Sequence, residues 1–328
     1  MIDRLLAMLE EHRDGYLSGE QISRQLGVSR TAVWKHIRAL KKRGYEFEAV
    51  PSRGYRLKSG PELFQPERFH AALATRAFGR RLIYLERTGS TQTVAHERYA
   101  AGDGEGTVVL AEEQTAGKGR MGRSWHSPRG KGLWFTLLLE PRISVRAAPQ
   151  LTYVLSVAVC RAIRRATGLA AAIKWPNDIW IDGKKVCGIL LESAAEDDRL
   201  KYVAAGIGID VNVDRSEWPA EIADRATSLR AAAGRPFERE RLLADCLLEL
   251  EFWYHHFLKE GFPGVRTVWE SLWETIGRTV RLGTGTASIA GVAVGMDDEG
   301  ALLVRRDDGT IDRVVSGDIE HSMGCAFR

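Results

Sequence analysis

The sequence predicts an α+β chain in three parts: a winged helix-turn-helix, a central mixed α/β region with a largely antiparallel sheet, and a small C-terminal β-barrel. Three observations predict it. Apolar residues recur at helical spacing in short stretches before residue 44 and are followed by two strand-like runs. In the middle of the chain, Asp182-Gly183 separates two apolar runs, a strong short-range hairpin signal. From Thr275 onward, short runs are spaced by Gly and Asp, the pattern of a small barrel. A chain of 328 residues with 44% hydrophobic content is long enough for two or three domains with real cores.

In order, an amphipathic helix is expected over Ile2–Glu11. Ser18-Gly19-Glu20-Gln21 has the Ser-x-x-Gln form of a capping box and opens a second helix, Gln21–Leu26, which Gly27 ends. Ser29 caps a third, Arg30–Arg43, with Val33, Ile37 and Leu40 on its apolar stripe. Strands around Tyr45–Val50 and Tyr55–Leu57 flank the turn Pro51-Ser52-Arg53-Gly54. The Gly-Pro punctuation of residues 58–66 reads as a linker. In the centre, strands are expected at Thr107–Gln114, Gly132–Leu139, Ile173–Trp175 and Lys201–Val213, with helices at Leu151–Thr167 and 241–260. Tight turns between adjacent strands imply antiparallel pairing and exclude a doubly wound nucleotide fold. The last strands are expected at Thr279–Gly283, Ser288–Met296, Ala301–Arg305 and Ile311–Val315.

Charge is unevenly placed. Residues 1–60 hold 12 Lys/Arg against 7 Asp/Glu, whereas the remainder holds 35 against 36, so a polyanion partner is expected at the amino end. On the third helix Arg30, Thr31, Trp34, Lys35 and Arg38 face away from the apolar stripe, and Arg53 makes the wing basic. With Ser18, Gly19 and Ser29 at the helix starts, these are the candidate DNA contacts. Cys160, Cys187, Cys246 and Cys325 are scattered singly, which fits buried thiols in a reducing cytosol better than disulfides or metal ligands. No run approaches the roughly 18 apolar residues of a membrane span, and the charged start has no signal-peptide core, so a cytoplasmic protein is expected.

The segment Gly117-Lys118-Gly119-Arg120-Met121-Gly122-Arg123-Ser124-Trp125 alternates glycine with cation and ends in an indole. Glycines admit close ligand approach, and three cations with no local counter-charge call for a phosphate or carboxylate. It is one residue from a P-loop, but Trp125-His126-Ser127-Pro128 cannot start a good helix and a strand follows. The anion is therefore expected to be bound by wrapping. Lys174-Trp175-Pro176-Asn177-Asp178, with Lys185 in the next strand, gathers carboxamide, carboxylate and ammonium at a sheet edge. Taken alone it is an ordinary strand-ending turn; taken together, Asp178 suits a magnesium or ribose contact and Lys185 phosphate oxygens. Ser90-Thr91-Gln92 reads either as a helix cap or, with Gln114, as a set of neutral polar groups in an apolar pocket. Gly188, Gly206 and Gly208 mark close approach of a ligand to strands. No Ser/His/Asp, Cys/His or zinc arrangement stands out, so the chemistry expected is positioning and charge neutralisation of a nucleotide.

Together these residues resemble the biotin protein ligases, specifically the bifunctional bacterial kind that also represses biotin genes. The resemblance covers nearly the whole chain: Ser18–Arg38, then Ser90-Thr91, Gln114, Gly117–Trp125, Lys174–Asp178, Lys185–Glu192 and Gly206–Asn212, with the C-terminal region matching by pattern only. It implies a winged helix-turn-helix at 1–60, a linker at 61–66, a ligase core at 67–274 and an SH3-like β domain at 275–328. It also implies a two-step reaction. Biotin's carboxylate attacks the α-phosphate of ATP, with Mg²⁺, giving biotinyl-5′-adenylate and pyrophosphate. A lysine of the biotin carboxyl carrier protein then takes the biotinyl group.

Carried over, Ser90, Thr91, Gln92 and Gln114 hold the biotin ring, with Lys118, Gly119, Arg120, Lys185 and Gly188 completing the biotin site. Gly117, Arg120, Arg123, Trp125, Asn177, Asp178, Lys185, Gly206 and Gly208 line the adenylate; Arg120 and Lys185 are the catalytic candidates, and no resident metal is expected. An adenylate-bound homodimer on a palindromic operator is the implied switch. Three positions depart from the family pattern: Gln92 for Asn, Lys118 for Arg, and Asp210 for Asn, the last placing an acid where an anion is expected. Two rival functions are a lipoate or octanoyl ligase and a non-catalytic ligand-sensing regulator.

Overall fold

The computed structural model describes residues 1–321 except Arg43, Ser52, Pro61, Glu62, Gly285, Thr286 and Ser316. The expected third-helix end at Arg43, the turn residue Ser52, linker residues Pro61 and Glu62, and Cys325 lie outside the described residues. The chain divides into two compact units, residues 1–63 with 128–130 and residues 64–127 with 131–328.

The first unit carries α1 (Ile2–Glu11), α2 (Gly19–Leu26), α3 (Arg30–Lys42), β1 (Glu46–Val50) and β2 (Gly54–Ser59). The capping box forms: Gln21 N–H donates to Ser18 Oγ at 3.1 Å and Ser18 N–H to Gln21 Oε1 at 2.8 Å. It starts α2 at Gly19 rather than at the expected Gln21, because Ser18 is the cap and the helix begins one residue later. Gly27, with φ 67°, ends it in the left-handed region. Ala32 N–H donates to Ser29 Oγ at 3.2 Å, opening α3. Leu5, Leu9, Ile22, Val33, Ile37 and Leu40 pack into one apolar core, and β1 pairs antiparallel with β2 beside it.

The second unit contains α4 (Pro66–Ala72), β3 (Leu82–Leu85), α5 (Thr91–Ala100), β4 (Val108–Ala111), β5 (Leu133–Leu139) and α6 (Ala148–Thr167). It continues with β6 (Ala172–Lys174), β7 (Asp178–Ile181), β8 (Lys184–Glu196), β9 (Arg199–Ile209), α7 (Leu229–Ala233), α8 (Arg239–Glu260) and α9 (Phe262–Ser271). The sheet order is β3-β4-β5-β9-β8-β7-β6, antiparallel at every step except β3–β4. Asp182 and Gly183, at φ 50° and 73°, make the tight β7–β8 turn with the right-handed twist such hairpins need.

Two expected strands are shortened for visible reasons. The run Thr107–Gln114 stays in the ladder only to Ala111, because buried Glu112 turns aside to pair with Arg239 at 2.9 Å and to accept from Tyr84 Oη at 2.8 Å. The run to Val213 leaves the sheet after Ile209, where Asp210 N–H bonds Val186 O at 2.9 Å.

Alternate residues of the sheet face different partners. One face, with Leu133, Phe135, Leu137, Ile207 and Ile209, joins the large core beside α6 and α8. The other carries Leu138 and Ala204 against Ala95 of α5, and further along the same rows Thr136 opposite Gly206 and Trp134 opposite Gly208.

The C-terminal strands β10 (Thr279–Thr284), β11 (Ala287–Met296), β12 (Leu302–Arg305), β13 (Ile311–Val314) and β14 (Asp318–His321) pair in the order β13-β12-β11-β10-β14. Among the described residues these pairings leave β13 and β14 unjoined, a five-stranded antiparallel sheet that is not closed but is consistent with the expected small barrel. Val280, Leu282 and Leu302 enter the same core as the central helices.

Candidate functional site

The second sheet face ends in a floor of glycine. Gly188 of β8 and Gly208 of β9 are direct cross-strand partners, and the Trp125 indole lies on them. A Cβ at Gly208 would sit 2.5 Å from Trp125 Nε1, and one at Gly188 2.8 Å from the ring edge. The next glycine along, Gly206, lies under the Gln92 side chain, whose Nε2 donates to Leu190 O at 3.1 Å. The close approach expected at these glycines is thus made by the chain's own indole and amide.

The loop Gly117–Trp125 folds back on itself. Lys118 bridges Ser124, Gly119 N–H donates to Arg123 O at 2.7 Å, and Trp125 N–H to Gly117 O at 2.8 Å. Its tip, Arg120–Gly122, is one 3-10 turn with Met121 at φ 56° and 78% exposed. It leads into β5 and not into a helix, as the rejection of a P-loop requires.

The cations diverge from the loop toward separate partners. Arg120 Nη1 donates to Asn177 Oδ1 at 3.0 Å, and buried Asn177 in turn donates to Ile189 O at 2.6 Å. Lys118 Nζ lies 3.6 Å from Glu192 Oε1, while Arg123 is exposed and reaches Met121 Sδ at 3.6 Å. Lys185, across the floor, pairs with Asp178 at 2.6 Å and sits 5.1 Å from the Trp125 ring centre. The Lys174–Asp178 stretch is anchored by Trp175, whose Nε1 donates to Tyr153 Oη at 3.2 Å. Burial pushes that phenol up to about 12, so it stays a donor, to Gly300 O at 2.6 Å.

Beside the floor lies a neutral polar cluster. Ser90, Thr91 and Gln92 are all buried at the start of α5. Thr136 Oγ1 donates to Thr91 Oγ1 at 2.9 Å, and Thr91 N–H and hydroxyl converge on Gln114 Oε1 at 2.8 and 3.1 Å. Gln114 Nε2 then donates to Ser127 Oγ at 3.0 Å. Ser90 occupies the N-cap position, yet its side chain makes no capping bond. Among the described residues, Ser90 Oγ, Gln92 Oε1, Trp125 Nε1 and Asp210 Oδ1 are buried polar atoms without a protein partner. An unpaired buried polar atom costs about 1–3 kcal/mol, so four near one floor make it a candidate site for a polar ligand.

Burial pushes the Asp210 carboxyl well above the usual carboxylate range, with Lys185 acting against the rise. A raised carboxyl pKa weakens the conflict expected from an acid at this position, since it favours the protonated form, while Lys185 favours the ionised one. Sequence reading did not single out Ser127 and Thr136. Thr136 had a signal, being the lone hydroxyl inside Leu-Trp-Phe-Thr-Leu-Leu-Leu. Cys160, Cys187 and Cys246 are buried and free, and burial raises all three thiols. Among the described residues no three His, Cys, Asp or Glu gather to hold a metal, and no helix is long and apolar enough to cross a membrane.

In the first unit, Arg30, Thr31, Trp34, Lys35 and Arg38 are all exposed along α3, opposite its buried stripe. Trp34 is half exposed with the Arg38 guanidinium 5.4 Å from its ring, and exposed Arg53 lies 4.3 Å over the Tyr16 ring. Ser18 and Gly19 are partly covered at the start of α2, and Ser29 is exposed at the start of α3.

Three family profiles match in succession: an HTH domain over 2–56, the biotin/lipoate A/B protein ligase family over 84–210, and the biotin protein ligase C terminal domain over 275–322. The chain is 44% identical over 316 residues to the bifunctional ligase/repressor BirA of Bacillus subtilis, covering 96% of this chain and 97% of that one. To the protein of the same name from Escherichia coli it is 30% identical, covering 96% and 95%. Among solved structures it resembles the biotin protein ligase from Aquifex aeolicus in complex with biotin and ATP. That likeness has a TM-score of 0.63 and 35% identity, and it covers 74% of this chain and 98% of that one. The chain belongs to the biotin/lipoate A/B protein ligase family, and among its relatives to the bifunctional ligase/repressors.

Proposed function

We propose that this chain is an ATP-dependent biotin ligase and a biotin-responsive transcriptional repressor. The observation that carries the reading is the pairing of two chemistries on one glycine floor. Buried, unpartnered Ser90 Oγ and Gln92 Oε1 suit a neutral polar ring, and Lys118, Arg120, Arg123 and Lys185 suit the anion next to it. Biotin, with an uncharged ureido ring on an acidic tail, and the phosphates of ATP have this composition.

In the first step, a biotin carboxylate oxygen bonds to the α-phosphorus of ATP, and the bond to the β-phosphate oxygen breaks, releasing pyrophosphate. In the second, the ε-amine of a carrier-protein lysine attacks the anhydride carbonyl, loses a proton and releases AMP. Ser90, Thr91, Gln92 and Gln114 hold the ring. Lys118, Gly119 and Arg120 wrap the carboxylate, and Arg123 faces the phosphates. Trp125, on Gly188 and Gly208, packs against the adenylate, with Asn177 and Gly206 beside it. Lys185 neutralises charge that develops at phosphorus. Asp178 pairs directly with Lys185, and this pairing fits Mg²⁺ carried on the nucleotide phosphates rather than a resident ion.

The unit with α3 binds operator DNA. Ordering of Gly117–Trp125 by the adenylate favours a homodimer, and the pair of α3 helices reads a palindrome. The domain division 1–60, 67–274 and 275–328, and a cytoplasmic location, belong to the same reading.

The test is purified protein with ATP and either biotin or lipoate, followed by transfer to biotin carboxyl carrier protein. Adenylate from biotin and labelled carrier are expected. Adenylate from lipoate alone makes it a lipoate ligase, and no product from either leaves a ligand-sensing regulator. Gel shifts on its own upstream region, with and without biotin and ATP, test repression.

A further inference from the structure

Lys118 stands where the family places an arginine, and an ammonium lacks the fork that lets a guanidinium fix its own direction on a carboxylate. The structure supplies direction from elsewhere. Lys118 Nζ meets Glu192 Oε1 at 3.6 Å. The other oxygen, Glu192 Oε2, accepts from His96 Nε2 at 2.9 Å. His96 Nδ1 lies 2.7 Å from the Tyr202 hydroxyl, and the Tyr202 ring stacks on Tyr99 at 3.8 Å between centres and 20° between planes.

The row draws on three rigid elements. His96 and Tyr99 lie on α5, whose first turn carries Thr91 and Gln92; Glu192 is on β8 in the same row as Gly188 and Leu190; Tyr202 is on β9. The imidazole makes both contacts at once, Nε2 toward the carboxylate and Nδ1 toward the Tyr202 hydroxyl. The carboxylate is thus held from behind and presents one oxygen to the loop. At 3.6 Å the contact is a charge attraction rather than a hydrogen bond, so Glu192 draws the ammonium in its direction and leaves its three donors for a ligand.

We propose that Glu192, oriented by His96 and Tyr202, is a positioning residue that aims Lys118 and sets the resting place of the Gly117–Trp125 loop. The inference rests on the reading of that loop as the site for biotin's carboxylate, and it names a row of residues that the ligand does not touch.

The experiment uses the full-length protein and two readouts. One is the rate of tryptic cleavage after Arg120 and Arg123 without ligand. The other is KM for biotin, separately from kcat, in adenylate formation. Glu192→Gln keeps the shape and removes the charge; His96→Phe removes both backing bonds; His96→Gln keeps a donor toward Glu192. Loss of one such link is expected to speed loop cleavage and raise KM for biotin about three- to tenfold, with kcat little changed. His96→Gln should recover most of the loss, and in a Lys118→Ala background His96→Phe should add nothing.

Equal effects of His96→Phe in both backgrounds, or no change in either readout for both Glu192→Gln and His96→Phe, overturn the proposal. Should His96→Phe fail to fold, Glu192→Gln decides alone. A wild-type protein that forms no biotinyl adenylate defeats the functional reading instead, while loop cleavage still judges the positioning row.

Discussion

The N-terminal unit and the glycine floor place their functional side chains in opposite ways. In α3, Arg30, Trp34, Lys35 and Arg38 point outward from a helix whose Val33, Ile37 and Leu40 are buried, and their chemistry needs nothing but exposure. Around Trp125 the groups turn inward and contact residues distant in the chain: Arg120 with Asn177, Thr91 with Gln114 and Thr136, Lys118 with Glu192. A surface that meets a polyanion is an outcome of helical period and charge. A site that encloses a small ligand is an outcome of convergence, and each side chain there has two duties.

The largest expected effect would break that contrast at its centre. Lys185→Ala should slow biotinyl-adenylate formation about 10²–10³-fold, in line with loss of one preorganised charge in a reacting site. Binding to DNA at low salt without ligand should be unchanged; a parallel loss there would show that the two regions do not act separately.

Next comes the floor. Gly208→Ala puts a methyl 2.5 Å from Trp125 Nε1, so the indole must lift. A stability loss of about 1–3 kcal/mol is expected, read by thermal unfolding, together with altered tryptophan emission. An unchanged emission spectrum would mean that the indole does not rest on β9.

Smaller again, Arg30→Ala or Arg38→Ala should weaken operator binding by about 1–3 kcal/mol each, measured by gel shift, with ligation intact. Equal loss of ligation would sink the separation.

The smallest effect concerns Asp210. Its folded-state pKa is raised by burial, so its contribution to stability is complete below the unfolded carboxylate value of about 4 and falls away as pH rises above it. Asp210→Asn should therefore raise Tm at pH 8 by about 2–4 °C for each kcal/mol recovered, with the difference closing toward pH 4. A difference independent of pH would mean that the carboxyl is ionised in the folded protein.

Much of the fold was legible. The capping box at Ser18, the left-handed stop at Gly27 and the Asp182-Gly183 hairpin are local agreements between residue type and backbone, and each forms as expected. What was not legible depends on partners far away. The strand ending at Ala111 is cut short by Glu112 pairing with Arg239, 127 residues downstream. The order in which β10 to β14 pair turned on which strands meet, and no local pattern encodes that. Ser90 was equally a cap or a ligand group by sequence; only the folded chain shows that it sits at the N-cap, buried and without a capping bond.

Taken alone, the sequence determined most of the elements, the basic face of α3, and the glycine–cation make-up of the Gly117–Trp125 loop, because period, capping and charge are carried by neighbours within a few residues. Only tertiary structure decided what that loop rests on and who aims its lysine. Gly188 and Gly208 become one floor through strand register, the Asp210 carboxyl is pushed up by burial, and Glu192 reaches Lys118 because β8 and β9 bring it beside α5. Register, burial and long-range pairing are properties of the packed chain, with no residue-level signature before the chain has folded.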